Sequence, residues 1–141
     1  MHRRSLGSGH RLAAMAAVLI VVGSVLPWYQ VGGDGGLPVI VYRAFDGIGF
    51  VSFLAGLATL ALLALPYAAG ERPMPLDRGV SFALLALAAI AGVILWIPTS
   101  NVLADPAGLV PTKAYGYWIT VIGAALLGRA AFEIYRWPER R

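Results

Sequence analysis

Gly47–Gly70 reads GIGFVSFLAGLATLALLALPYAAG, 24 residues without one charged side chain. About 20 apolar helical residues cross the hydrocarbon core of a bilayer. Within that core every backbone polar group needs a partner in the protein, and a helix supplies its own. Leu, Ala and Gly follow one another here without the period-two alternation of a barrel strand. The stretch therefore reads as a transmembrane helix.

Working outward, three more stretches share this character. Leu12–Tyr29 and Gly79–Ala104 carry no charge, and Ala114–Gly128 runs uncharged up to Arg129. The helices are expected near 11–28, 47–67, 79–98 and 114–135. The fold class is then an all-α integral membrane protein, one four-transmembrane-helix bundle over residues 1–141. Composition agrees. Of the 141 residues 59% are hydrophobic and 13% charged, with mean hydropathy +0.75. A soluble domain this small has too much surface to hide that much apolar material. A soluble enzyme and a disordered tail are excluded on that ground. The absence of cysteine excludes a disulfide framework, an iron–sulfur cluster and a thiolate zinc site.

The charges orient the spans. Arg3, Arg4, Arg11, Arg72, Arg78, Arg129, Arg136, Arg140 and Arg141 fall on one side of a four-span chain, and only Arg43 and Lys113 on the other. The positive-inside rule then makes both termini cytoplasmic. The net charge of +4 is explained by these flanks facing anionic headgroups, so nucleic acid is not an expected partner. Val22-Gly23-Ser24 also fits a weak signal-peptidase site. Cleavage there would leave three spans with the remaining topology unchanged, but the apolar run continues past it to Tyr29.

Trp28, Trp96, Trp118 and Trp137, with Tyr29, Tyr67, Tyr115, Tyr117 and Tyr135, fall near span ends. They read as interfacial anchors, with a cofactor or quinone cage as the alternative. The first outer connection places two β-prone runs around Gly32-Gly33-Asp34-Gly35-Gly36, a short hairpin. An isolated hairpin is marginal, so this one must lie on the membrane or pack against the second outer loop. Asp34 in that turn is a weak candidate for calcium, and the turn itself for an anion nest. A flexible turn is the plainer reading. Asp46 is expected to cap the second span and to pair with Arg43. Asp77 is expected to cap the third. Trp28, Tyr29, Asp34, Tyr42, Arg43 and Asp46 together form the candidate outer-loop surface.

Membrane helices associate through close packing of small residues and through polar contacts. In span four Gly116, Thr120, Ala124 and Gly128 recur every four residues. In span two Gly49, Ser52, Gly56 and Thr59 share a face. These eight are the candidate helix-contact residues, toward either the same chain or a partner. Trp and Pro end spans one and three, and an Ala-aromatic pair with Gly opens spans two and four. That faint duplication is better explained by interface chemistry acting twice.

No ionisable residue lies at the centre of a span, so a proton relay or ion-coupled transport is not indicated. Arg129 and Glu133 read as anchors. His2 and His10 fall in the cytoplasmic tail without ligand partners. Ser24, Ser52, Ser81 and Ser100 have no embedded base. No catalytic residue, cofactor or metal site is expected, and the chain does not read as an enzyme.

Leu26-Pro27-Trp28-Tyr29, an outer hairpin, then Ala44-Phe45-Asp46-Gly47-Ile48-Gly49 resemble small uncharacterised four-span membrane proteins of high-GC bacteria. Ten Arg to one Lys fits a GC-rich coding sequence. The resemblance implies topology, not activity. The outline is also similar to claudins, but the two loop cysteines of that family are absent. The expected role is association in the plasma membrane, as an accessory or assembly subunit of a membrane complex or as a homo-oligomer. The alternative is a binder or conduit for a lipid, quinone or other neutral apolar ligand between the helices. Membrane lipids are the other expected partners.

Overall fold

A computed structural model describes residues 7–32, 36, 38–68, 78–104 and 112–136. Four helices make up most of it: α1 (Ser8–Val25), α2 (Phe50–Ala68), α3 (Arg78–Ala104) and α4 (Tyr115–Arg136). All four are long and apolar enough to cross a membrane, and the chain is a four-helix transmembrane bundle. Asp34, Asp77, Trp137 and the connections at 69–77 and 105–111 lie outside the described residues.

The helices run up and down in a closed ring. Each packs on its sequence neighbours, and α4 returns to α1 across the most extensive interface of the molecule. Close backbone approach makes that interface. Gly23 of α1 lies against Thr120 of α4, where a Cβ would overlap the Thr120 hydroxyl. A Cβ at Gly123 would come within 2.9 Å of Ile20 Cγ1 and 3.0 Å of the Ala16 carbonyl.

Between the helices, at one end of the bundle, sits a three-stranded antiparallel sheet. Its strands are β1 (Tyr29–Val31), β2 (Ile40–Tyr42) and β3 (Thr112–Lys113), in the order β2-β1-β3. The hairpin is present, with Gly32 at φ +90° and Gly36 at φ +82°. It resolves its marginal stability by pairing with the second connection through β1 and β3. Three backbone bonds lock this end: Trp28 N–H to Tyr42 O at 2.9 Å, Ala114 N–H to Trp28 O at 3.1 Å, and Gly116 N–H to Pro27 O at 3.0 Å.

Several boundaries differ from the sequence reading, for local reasons. α1 stops at Val25 rather than 28. Leu26 precedes Pro27 and is driven to extended backbone, φ −75° and ψ 162°. His10, read as tail, lies inside α1 with its ring edge-on to Phe82 at 5.9 Å. α2 begins at Phe50, so Asp46 does not cap it. Ala44–Asp46 form a 3-10 turn instead, and the Asp46 carboxylate accepts the Arg43 backbone N–H at 2.6 Å. α3 continues through Pro98 to Ala104 rather than ending at 98. Proline removes one backbone donor, which here does not end the helix.

Candidate functional site

The sheet end of the bundle is plugged by aromatic rings. Trp28 leaves α1 through the Leu26-Pro27 bend and turns inward. Its ring meets Trp96 of α3 edge-on at 5.6 Å and 88°, and Tyr117 of α4 at 5.5 Å and 84°. Such edge-to-face pairs add about 0.5–1.5 kcal/mol beyond the area they bury. Trp28 Nε1 donates to the Gly23 carbonyl at 2.9 Å. Two glycines before α2 admit the rings. Trp96 occupies the space where Gly47 would carry a side chain, and a Cβ at Gly49 would come within 2.6 Å of Trp28 Cζ3.

Trp28, Tyr29, Trp96 and Tyr117 are therefore core residues, not interfacial anchors, and Trp28 and Tyr29 do not belong to an outer-loop surface. Position near a span end is a signal shared by rings that face lipid headgroups and rings that fold back over the bundle. The glycines at 47 and 49 make room for the inward rings in the fold, but as letters they do not mark which rings turn in. Trp118, Tyr67, Tyr115 and Tyr135 are exposed, as anchors would be. Tyr42 is half-buried beside Tyr29, and Arg43 and Asp46 are exposed. The indole N–H of Trp96 is buried and makes no hydrogen bond among the described residues.

Seven of the eight helix-contact candidates are buried, and the contacts seen for them lie within this chain. Gly56 meets Ile20 of α1, and Gly116 meets Leu26 and Pro27. Ser52 donates to the Ala89 carbonyl of α3 at 2.8 Å. Thr59 and Thr120 donate back to Ala55 and Gly116 of their own helices, at 2.7 and 2.9 Å. Ala124 is buried in α4. Gly128 is the exception. It is half-buried, and a Cβ there would meet only Ile90 at 3.8 Å. A strict four-residue step gains about 40° per step on a helix of 3.6 residues per turn, so three steps carry Gly128 well off the Gly116 face. The buried face continues instead through Gly123, Leu127, Ala130 and Ala131.

Two surface features remain besides a shallow depression of about 420 Å³ on α1 at Ala14, Met15, Val18 and Leu19. The first is a groove between α2 and α3, far from the sheet, of about 350 Å³. Ala58, Ala61 and Leu65 line one wall, and Ser81, Leu84 and Leu85 the other. The second is the free edge of the sheet. Val39, Ile40 and Val41 are 55, 51 and 41% exposed, and Phe45, Ile48 and Phe50 are exposed as well. Phe45 is held in place by an edge-on contact with Phe53 at 4.9 Å. No cluster of three His, Cys, Asp or Glu residues occurs among the described residues. Arg129 and Glu133 form an exposed pair at 3.4 Å, worth about 0–1 kcal/mol.

No family model matches the chain, and no curated protein is similar enough to match it.

Proposed function

We propose that the protein is a non-catalytic plasma-membrane component that acts by association. It serves as an accessory or assembly subunit of a membrane complex, or as a homo-oligomer, with both termini cytoplasmic. The nine-to-two split of basic residues supports that orientation, and it puts the sheet outside.

The observation that carries the reading is the edge of β2. Among the described residues β2 pairs with β1 on one side only. An edge strand presents a row of backbone donors and acceptors to any incoming strand, and this one carries the exposed apolar side chains of Val39, Ile40 and Val41. Very short strands, charged side chains and proline are the usual defences against such pairing; β2 is three residues long with Pro38 and Arg43 beside it, but Val39-Ile40-Val41 itself carries no charge. Small-residue faces do not carry the reading, because they are used within the chain. The test is the double variant Val39→Lys, Val41→Lys. Partner or second copy should be lost while the helices remain folded. Unchanged native mass would count against association through this edge.

The α2–α3 groove supports the second reading, an apolar ligand held between helices. It is a shallow, open depression rather than an enclosed cavity, and its walls are apolar apart from Ser81.

A further inference from the structure

The four helices do not present the same uncharged length to the bilayer. α1 runs uncharged for 14 residues, Leu12–Val25, and α4 for 14, Tyr115–Gly128, about 21 Å each at 1.5 Å per residue. All 19 residues of α2 are uncharged, and so are 26 of the 27 of α3, about 29 and 39 Å. A typical hydrocarbon core is about 30 Å thick. The two short helices pack on one another, and the two long ones adjoin on the other side of the ring.

The shortfall lies at the end away from the sheet. A Cβ at Gly9 of α1 would meet Ile134 and Glu133 of α4, so Arg11 and Arg129 stand at similar heights. Both are exposed on the outside of the bundle, and Arg129 pairs with Glu133 at 3.4 Å. His10, next to Arg11, touches Phe82 of α3. α3 carries no charge from Phe82 until Arg78, four residues or about 6 Å farther from the sheet. Ala64 of α2 is near the same level, beside Leu65, which shares the groove with Ser81. α2 stays uncharged through Ala68. The boundary between apolar and charged surface therefore steps by about 6 Å across the molecule.

A charge that faces lipid is costly within hydrocarbon. A short apolar span is met by thinning of the bilayer or by side chains that reach out to the headgroups. Reach does not remove the step. Arg129 extends away from the sheet to meet Glu133, one turn on. Arg78 begins its helix, and helical side chains lean toward the N-terminus, so it reaches away from the sheet as well.

We infer that α1 and α4 form a face fitted to a thin bilayer, along which headgroups of the leaflet away from the sheet are drawn in by about 6 Å relative to α2 and α3. What this face takes is the polar surface of the leaflet, whatever the charge of its lipids, since Arg11, Arg129 and Glu133 carry both signs. It uses neither the groove nor the edge of β2.

The chain has no cysteine, so a nitroxide can be attached at one introduced thiol. Phe132→Cys on α4, Ala64→Cys on α2 and Trp118→Cys at the sheet end of α4 are exposed positions. Each labelled protein is placed in phosphatidylcholine vesicles. Label depth is read from relaxation by oxygen against a water-soluble nickel chelate. The label at 132 should lie about 6 Å nearer to water than the label at 64, and the label at 118 should lie near the opposite headgroups. With Arg129→Leu and Glu133→Leu added, and helical content unchanged by circular dichroism, the label at 132 should sink to the depth of the label at 64. Equal depths at 132 and 64 without those substitutions would overturn the inference. A shallow label at 132 with the label at 118 deep in hydrocarbon would mean that the whole bundle tilts, and would overturn it too. So would a label at 132 that does not move when the charges are removed.

Discussion

The indole of Trp96 stands where Gly47 would place a side chain. The contact joins the C-terminal half of α3 to the segment that leads into α2, and it closes the sheet end of the bundle over Trp28. Gly47→Ala sets a methyl group against a ring that is itself wedged on Trp28. Overpacking of this kind costs about 1–3 kcal/mol. The variant should unfold earlier in a denaturant titration in detergent, with Trp fluorescence shifted to the red in the folded state. Wild-type stability and an unshifted spectrum would mean the rings are not packed here.

Gly116 and Gly128 lie three turns apart on one helix and should respond in opposite ways. A leucine at 116 meets the backbone of Leu26 and Pro27, within 2.6 Å at Cβ. It should break the junction of α1, β1 and α4, and little folded protein should be recovered. A leucine at 128 meets only the end of Ile90, and stability should change by less than about 1 kcal/mol. Comparable yields and melting temperatures for the two variants would overturn the assigned α4 face.

Ser52 spends its hydroxyl on the α3 backbone at Ala89. Ser52→Ala should cost about 0.5–1.5 kcal/mol, measured by unfolding in mixed micelles. Thr59→Ser keeps a hydroxyl able to bond to its own helix, and should cost less than the Ser52 change. The reverse order would show that α2 and α3 are not held together at that point.

Most of the bundle was legible in the sequence because uncharged runs near 20 residues have one solution in hydrocarbon. The hairpin was legible from its glycines. Inward direction was not. Trp28 and Trp96 carry the same positional mark as Trp118, and only the rings of the first two turn into the bundle. The short strand at Thr112–Lys113 left no signal, since two residues have no periodicity. Its partner is 84 positions away (Tyr29 with Lys113). The small residues of span two pointed to contact but did not say with what, because Gly56 facing Ile20 and Gly56 facing another protein are the same letters.

Tyr29 gives the sheet a pH dependence. Burial pushes its hydroxyl above the usual phenol value of 10.0, and the adjoining Tyr42 adds to this. The folded protein thus holds the proton more tightly than the unfolded chain. That contribution is complete below the unfolded value and is lost as pH rises through the folded one. The protein should lose stability above a pH of about 10, and Tyr29→Phe should lose less over the same interval. Identical alkaline profiles for both proteins would exclude Tyr29 as the cause.

Association through the edge of β2 is tested most directly by native mass spectrometry. The tagged protein is taken from its own membranes in mild detergent, alongside the Val39→Lys, Val41→Lys variant. The wild type should carry a second protein or a second copy in fixed stoichiometry, and the variant should be a lone chain with its helices intact. A wild type that is itself a lone chain, or a variant that keeps the same companion, would contradict the account.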